Sequence, residues 1–322
     1  MVADLTIFYV ADIHGSDVCF RKWLNAAGFY GADILVIGGD LTGKVLVPIY
    51  PAAGAAEAWT ATWKERVHRL ETRAEVEELI RLARTEGAYG FVTTADEVAE
   101  IGDSIERERE IFGRLKLQAL EEWLALADER LTGRRTRAFL MPGNDDPPAI
   151  DALLAGSRTL VDVQGTTTEL APGVWMASRG ESTPTPWHTP REVPDAVLGE
   201  LVGDAVRDLP SGGTTIWNLH MPPYDTGVDR APRLDASLHV QYDGSGEPIM
   251  DPVGSHAIRA LIAEHQPTIA LHGHIHEGRG RYRIGATTGF NPGSQYQDGV
   301  LQGLLLRVSG HKGLRDFMFT AG

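Results

Sequence analysis

Cysteine is almost absent from this chain, because Cys19 is the only one among its 322 residues. A single thiol cannot form an internal disulfide bond, and it cannot supply the thiolate ligands of a cysteine-rich zinc site. No base that would activate a thiolate lies nearby in the sequence. We therefore predict that Cys19 is a small core residue of a helix and not a nucleophile.

Long hydrophobic runs are also missing from the sequence. No stretch approaches the roughly 18 to 20 apolar residues that a membrane-spanning helix requires. Residues 1–15 lack the basic segment, the long apolar segment and the small-residue cleavage site of a secretory signal. We expect a cytoplasmic protein that does not bind a membrane.

Positive charge is scarce relative to negative charge. The chain has 30 Lys and Arg against 44 Asp and Glu, which gives a formal net charge of −14. The overall field of an acidic chain does not attract phosphate backbones, so we disfavour a nucleic-acid partner. A ligand that carries phosphate would need a local group of cations or bound metal ions.

Strand and helix patterns alternate along most of the chain. LTIFYVAD (residues 5–12) and ADILVIGGD (32–40) predict buried strands, and DVCFRKWLNAAGF (17–29) between them has the apolar spacing of a helix. This βαβ unit is expected to be parallel and right-handed. Similar strands are predicted to end near residues 144, 220 and 274, and antiparallel strands are predicted in the C-terminal part.

The stretch from Glu57 to Leu131 interrupts this alternation. It is rich in Glu, Arg, Ala and Leu, which predicts a helical insertion within a single domain that spans residues 1–322. The apolar stripes of its helices are predicted to include Trp59, Trp63, Leu120 and Trp123. Since the strands on either side both end in polar residues, we expect the insertion to form a wall near those residues, or a dimer contact beside them.

Asp, Asn and His side chains recur where the predicted strands end. Open α/β sheets bind their ligands at the carboxyl ends of strands. Each residue taken singly is explained by a helix cap, a turn or a core histidine, but their repetition indicates a shared task. Oxygen and nitrogen donors of this kind suit Mn²⁺, Fe²⁺, Zn²⁺ or Ni²⁺. The candidate metal ligands are Asp12, His14, Asp40, Asn144, His220, His274 and His276.

These residues lie in blocks that resemble the signature motifs of the calcineurin-like metallophosphoesterases. The blocks are DIH (12–14), GGD (38–40), GND (143–145), His220 and GHIH (273–276), and they occur in the family's order. The resemblance implies an α/β fold of the four-layer α+β type, with two packed mixed β-sheets flanked by helices.

The resemblance also implies two divalent metal ions, with manganese favoured, that share the carboxylate of Asp40. Two adjacent cations activate a bridging water as hydroxide and clamp phosphoryl oxygens, so the expected reaction is hydrolysis of a small phosphate ester. The first metal would be held by Asp12, His14, Asp40 and His276. The second metal would be held by Asp40, Asn144, His220 and His274.

The sequence departs from the family pattern at Asp145, where many relatives have a histidine that is thought to protonate the leaving group or bind phosphate. An ordinary aspartate is ionised at neutral pH, so it repels phosphate and donates no proton. Because diesters carry less charge than monoesters, we predict a phosphodiesterase that acts on small or nucleotide-like diesters. The catalytic candidates are Asp145 and His220. The substrate-binding candidates are Asn144, Thr42, Lys44 and Arg279, and NPGS contributes Asn291 and Ser294 as supporting residues.

Three other functions remain open at this point. A phosphomonoesterase or a nuclease of the same family would use the same metal ligands. A catalytically silent protein that keeps its metals as a scaffold is the alternative outside enzymology, and the insertion would then serve as a partner surface. The insertion is also where a homo-oligomer would form.

Overall fold

Two six-stranded β-sheets form the centre of the molecule, in a computed structural model that describes residues 4–54 and 58–322. Glu57, the predicted start of the insertion, lies outside the described residues. The strands are β1 (Leu5–Val10), β2 (Ile34–Gly38), β3 (Val45–Pro51), β4 (Trp59–Trp63), β5 (Arg66–Leu70), β6 (Ala88–Val92), β7 (Arg137–Met141), β8 (Leu160–Asp162), β9 (Thr167–Ala171), β10 (Val174–Arg179), β11 (Thr214–Leu219), β12 (Arg230–Pro232), β13 (Met250–Pro252), β14 (Ile269–Leu271), β15 (Gly280–Ile284), β16 (Thr287–Asn291), β17 (Gln302–Ser309) and β18 (Gly313–Ala321).

Most of the helices pack on the outer faces of these two sheets, and the helices of residues 73–85 and 95–103 pack on a smaller four-stranded sheet. They are α1 (Asp17–Phe29), α2 (Arg73–Thr85), α3 (Ala95–Asp103), α4 (Ile105–Leu131), α5 (Asp151–Ala155), α6 (Asp195–Val206) and α7 (His256–His265). In the part of the chain that the structure describes, none of them is long and apolar enough to cross a membrane.

The first sheet has the strand order β18-β17-β1-β2-β7-β8, and the second has the order β15-β16-β14-β11-β10-β9. The strands β1, β2 and β7 run parallel to one another, as do β10, β11, β14 and β16. The antiparallel neighbours lie towards the edges, so both sheets are mixed. The predicted α/β fold with packed mixed sheets is therefore confirmed.

Alternation along β1 shows how the layers are assembled. Ile7 and Tyr9 point into a core that lies between the two sheets. Phe8 and Val10 point the other way, into a core that α1 and α4 share with the first sheet, because successive side chains of a strand face opposite sides. Cys19 is buried in this outer core, as predicted. A third core joins α6 and α7 to the second sheet, so the order of layers is helix, sheet, sheet, helix.

The insertion is not wholly helical, which corrects the prediction for its first half. Residues 59–70 form the antiparallel hairpin β4–β5, which joins β3 and β6 in a separate four-stranded sheet. Trp59 and Trp63 therefore lie on a strand and pack partly buried against the small core of that sheet. Lys64 and Glu65 form the turn with φ angles of 51° and 59°, the left-handed conformation of a two-residue hairpin turn.

The second half of the insertion is the 27-residue helix α4, which docks on α1. Leu120 and Trp123 are buried there, as the predicted apolar stripe requires. The ring of Trp123 stacks on Phe20 with 4.3 Å between ring centroids, and its Nε1 donates to Asp17 Oδ1 at 2.6 Å. This contact fixes α4 against the first sheet and directs its N-terminal half towards the carboxyl ends of β2 and β7.

Candidate metal centre

The candidate ligands converge because each follows a strand whose carboxyl end lies at the same edge of its sheet. In the first sheet they follow the parallel strands β1, β2 and β7, and in the second they follow β11 and β14. The structure thereby brings together all the predicted metal ligands, namely Asp12, His14, Asp40, Asn144, His220, His274 and His276. All of these residues are buried except His274 and His276, which are partly exposed.

The backbone at these strand ends is held in an unusual conformation. Asp12, His14, Asp40 and His274 have positive φ angles of 55°, 39°, 55° and 67°. Such left-handed residues cost free energy when they are not glycine, and they cluster at functional sites where the surrounding structure enforces them. A Cβ atom on Gly143 would lie 2.2 Å from Asp40 Oδ1. Only glycine therefore allows the loop that follows β7 to approach this carboxylate so closely.

One half of the cluster is built from Asp12, His14 and His276. The Nε2 atoms of the two histidines face each other at 3.0 Å, and His276 Nε2 lies 3.6 Å from Asp12 Oδ1. Ligand atoms of these three residues all lie within 4.8 Å of one another, as metal coordination would require. Two imidazole nitrogens at this distance share either a proton or a cation.

Asp40 lies between these three residues and the second group of candidate ligands, which contains His220, Asn144 and His274. Its Oδ2 lies 3.5 Å from His14 Nε2 and 3.3 Å from His220 Nε2, so one carboxylate oxygen faces both histidines. On the far side, Asn144 Oδ1 lies 2.7 Å from His274 Nδ1. Asp40 therefore lies between the candidate ligands His14 and His220, and Asn144 lies beside His274.

The electrostatics of the cluster are those of a buried mixture of acids and imidazoles. Burial would raise the pKa of Asp12, but contact with His276 and the neighbouring histidine charges lower it to about 2. Burial lowers the pKa of His274 to about 4, which keeps its ring neutral. Burial also opposes protonation of His220, but the carboxylates of Asp40 and Asp12 raise its pKa to about 10.

Two buried imidazole nitrogens without hydrogen-bond partners indicate whether these residues could bind a metal ion. His220 Nδ1 lies 2.8 Å from Gly38 O, which fixes the ring and directs Nε2 into the cluster, where it has no hydrogen-bond partner. His14 Nδ1 is likewise buried without a partner. Unsatisfied buried nitrogens are costly, and a divalent cation among imidazole and carboxylate donors would satisfy the one that faces the cluster. The residues therefore fit divalent cations.

Asp145 and Asp146, adjacent in sequence, have different surroundings. The side chain of Asp145 pairs with Lys44, whose Nζ lies 2.5 Å from Oδ2, and its backbone N donates to Asp40 Oδ1 at 3.0 Å. Asp146 is buried and accepts backbone hydrogen bonds from Leu41, Thr42 and Gly143. Asp146 thus fastens the loop after β2 to the loop after β7.

Three predicted substrate-binding side chains have structural partners in this arrangement. The hydroxyl of Thr42 donates to Asp146 at 2.8 Å and is buried. The guanidinium of Arg279 donates to the carbonyl oxygens of Pro292 and Thr320, so it is held beside the cluster and not within it. Lys44 alone of the three reaches the space around Asp40, since both line one cavity.

The turn of residues 291–294 (NPGS) forms hydrogen bonds with the backbone next to the candidate ligands. Asn291 Nδ2 donates to the carbonyl oxygens of Gly273 and Ile275, at 3.0 and 2.9 Å. Ser294 Oγ donates to Asp12 O at 2.6 Å. The remaining histidine of LHGHIH, His272, is buried away from the cluster, with Nδ1 2.8 Å from Leu219 O and Nε2 2.8 Å from the hydroxyl of Tyr282. His272 is therefore structural.

A cavity of about 920 Å³, here called the main cavity, opens onto Asp40, Asn144 and His274. Helix α4 forms one wall, as expected of the insertion. Sequence reasoning missed several of the side chains that line it, because isolated cations and surface-loop aromatics carry no periodic signal. These side chains are Arg109, Phe112, Lys116, Trp187, Leu234, Leu238, Val240 and Tyr296.

The same fold occurs in solved proteins of similar length. One crystal structure matches with a TM-score of 0.54 at 16% identity, and the match covers 98% of each chain. The protein TT1561 of Thermus thermophilus matches with a TM-score of 0.50 at 17% identity, and the match covers 99% of each chain. At such low identities the likeness shows the fold alone.

A 5′-nucleotidase precursor from Thermus thermophilus has a TM-score of 0.35 at 11% identity, with 99% of this chain and 54% of that chain covered. A likeness of that size carries no argument about activity. No family model and no curated protein matches this sequence.

Proposed function

We propose that this protein is a metal-dependent phosphoesterase of the calcineurin-like type, with two divalent cations, and manganese the favoured metal. The observation that carries the proposal is the position of Asp40. One of its carboxylate oxygens faces His14 at 3.5 Å and His220 at 3.3 Å. Acid and amide oxygens with imidazole nitrogens surround it, which is the donor set of a two-metal hydrolase.

When bound, two cations would supply an activated water and offset negative charge on phosphoryl oxygens. The residues of this chain bind the cations and line the space for the substrate. Asp12, Asp40 and the histidines hold the cations, and the amide of Asn144 faces the substrate space. Lys44 lies at the same cavity and adds a positive charge beside Asp145. Because the charges of Lys44 and Asp145 offset each other, the charge of the bound cations would be what allows an acidic chain to bind a phosphate ester.

The substrates we favour are phosphodiesters that are small or nucleotide-like. Asp145 stands where many relatives have a histidine, and its carboxylate is paired with Lys44 at 2.5 Å. Burial alone would lower the pKa of Lys44, but Asp145 and Asp40 raise it above its ordinary value. A lysine that holds its proton this firmly is a poor proton donor at neutral pH. Diesters with good leaving groups depend least on such a donor.

The decisive experiment combines metal analysis with turnover. Purified protein is analysed for bound Mn, Fe, Zn and Ni, and it is then assayed with bis(p-nitrophenyl) phosphate and p-nitrophenyl phosphate with added Mn²⁺. We expect two metals per chain, turnover that a chelator abolishes, and a higher kcat/KM for the diester. Hydrolysis of the monoester alone would indicate a phosphomonoesterase. Two bound metals without turnover of any ester would indicate a scaffold.

A further inference from the structure

Trp187 is a large apolar side chain in an unusual position. It is 64% exposed, yet it lines the main cavity together with the metal-centre residues Asn144 and His274. In the described part of the chain no other aromatic ring stacks on it. A tryptophan contributes most to stability when it is buried, so one left uncovered beside a polar site indicates a role in binding.

The loop that carries Trp187 is held by its own side chains. Its ends pair at the bridge between Ser182 and Glu192. The carboxylate of Glu192 accepts hydrogen bonds from the hydroxyl of Thr185 at 2.5 Å and from the backbone N of Thr189 at 2.9 Å. The backbone N of Trp187 donates to the Thr185 hydroxyl at 3.2 Å. These contacts order the loop around the indole.

The same loop is attached to the metal centre. Asn144 Nδ2 donates to the hydroxyl of Thr189 at 2.9 Å, and the backbone N of Arg191 donates to Asn144 O at 3.1 Å. The guanidinium of Arg191 also donates to Asp146 O at 2.7 Å. The indole of Trp187 is therefore held at a defined place relative to the ligand Asn144.

The rest of the main cavity divides into a charged part and an apolar part. Lys116 and Arg109 of α4 line it near Lys44, and Lys116 Nζ lies 4.5 Å from the centre of the Phe112 ring. The ring of Phe112 is itself held edge-on by Tyr89 at 5.8 Å. The segment between β12 and β13 contributes the apolar side chains Leu234, Leu238 and Val240. The cavity thus combines cations for phosphate with apolar walls for an uncharged group.

We infer that Trp187 is a stacking surface for a planar aromatic group of the substrate, such as a nucleobase, while the phosphate lies at the metal centre. This inference rests on the proposed function for the phosphate end of the ligand. A volume of about 920 Å³ accommodates a nucleotide and is far larger than a small alkyl phosphate requires. Stacking on an exposed indole selects flat π-systems with little regard to their hydrogen-bonding groups. Trp187 would therefore determine specificity without taking part in the chemistry.

The test measures binding with ligands that are not hydrolysed. The monomethyl ester of a 5′-phosphonate analogue of adenosine monophosphate (the adenosine analogue) and the monomethyl ester of methylphosphonic acid (here called methylphosphonate) each carry the single negative charge of a diester. Both are titrated calorimetrically into the Mn²⁺-loaded protein and into its Trp187→Ala and Trp187→Phe variants. We expect Trp187→Ala to weaken binding of the adenosine analogue about 5- to 100-fold. Its affinity for methylphosphonate should change less than about twofold, and Trp187→Phe should retain most of the affinity for the analogue.

Tyr242→Ala is the matched control, because Tyr242 is 60% exposed and does not line the main cavity. It should leave both affinities unchanged. An unchanged affinity of Trp187→Ala for the adenosine analogue, or equal weakening for both ligands, would overturn the inference, as would failure of the unmodified protein to bind the analogue. Hydrolysis of bis(p-nitrophenyl) phosphate is measured on the same samples. Turnover without an effect of Trp187 would leave the proposed function standing, and absence of turnover would refute that function separately.

Discussion

At the scale of single residues, Asp40 is the position on which the metal centre depends. Its Oδ2 faces a histidine on either side, whereas Asn144 contacts only His274 among the candidate ligands. A carboxylate shared by two cations contributes to both binding sites, and an amide at one end contributes to one. The two residues therefore allow separate tests of the bridge and of the second metal site.

Asp40→Ala should lose both metals, and Asn144→Ala should chiefly weaken one. The measurement is metal content per chain after dialysis, with titration of Mn²⁺ into the apoprotein. Asp235→Ala, at an exposed carboxylate, is the control and should keep two metals. Retention of two metals and normal turnover by Asp40→Ala would contradict the assignment of the bridge.

Thr189 is predicted to orient the amide of Asn144. Because Nδ2 donates to the Thr189 hydroxyl, Oδ1 is turned towards His274. Thr189→Val removes the acceptor, and we expect metal affinity at this end of the cluster to fall about 10- to 100-fold, as is usual when the partner of a ligand is removed. Thr189→Ser should restore the affinity. Equal metal affinity in the valine and serine variants would show that the amide needs no such partner.

The pair of Asp145 and Lys44 makes a prediction about the leaving group. Asp145 donates no proton when ionised, and Lys44 holds its proton firmly, so the leaving oxygen departs with nearly full negative charge. We expect kcat/KM for aryl phosphodiesters to fall steeply as the pKa of the leaving phenol rises. Asp145→His should flatten this dependence, since a general acid contributes about 10²- to 10⁴-fold and most with poor leaving groups. A shallow dependence in the unmodified enzyme would reveal another acid, and His188, which lines the main cavity, would be examined first.

At the scale of secondary-structure elements, α4 connects the insertion to the core. Trp123 stacks on Phe20 and donates a hydrogen bond to Asp17, and the same helix carries Arg109 and Lys116 to the main cavity. The packing of Trp123 in the C-terminal half of α4 therefore positions the side chains of Arg109 and Lys116, which come earlier in the helix. A change at Trp123 tests this connection without altering the cavity lining.

Trp123→Ala should lower the free energy of unfolding by about 3 to 5 kcal/mol, because a large buried ring is removed from a packed interface. Trp123→Phe preserves an aromatic contact with Phe20 and loses mainly the hydrogen bond, so it should cost about 1 kcal/mol. Urea unfolding monitored by circular dichroism measures both values. Equal stabilities of the alanine variant and the unmodified protein would mean that α4 does not depend on this contact.

The elements also show what sequence reasoning reaches and where it fails. The strand ends that carry Asp12 and Asp40 were predictable, since short apolar runs ending in polar residues specify buried parallel strands. The hairpin of residues 59–70 was not, because Lys64 and Glu65 occupy left-handed turn positions that usually signal themselves through Asn or Gly. The position of Trp187 depends on contacts with Asn144 and Glu192 that are distant in sequence or specific to one loop.

At the scale of the whole molecule, the burial of neutral histidines links stability to pH. Burial lowers the pKa of both His272 and His274 from 6.5 to about 4. Because these histidines are protonated more readily in the unfolded chain, acid favours unfolding. Their contribution to the free energy of unfolding is therefore present above pH 6.5 and is lost as the pH falls through 4. His220 behaves oppositely, since its raised pKa of about 10 gives stability that is present below pH 6.5 and lost as the pH rises through 10.

The chelated protein should therefore become less stable between pH 7 and pH 5. His272 and His274 each contribute roughly 1.4 kcal/mol per pH unit below 6.5, so these two account for about 4 kcal/mol at pH 5. Burial also lowers the pKa of His14, which adds to the loss of stability in the same direction. Asp12 does not contribute in this window, because its pKa is lowered to about 2 and its stabilisation is lost only in stronger acid. Urea unfolding with excess chelator at pH 5, 6 and 7 measures the slope. A free energy of unfolding that stays constant over this range would mean that His272 and His274 take up protons equally in the folded and the unfolded protein, which would contradict their lowered pKa values.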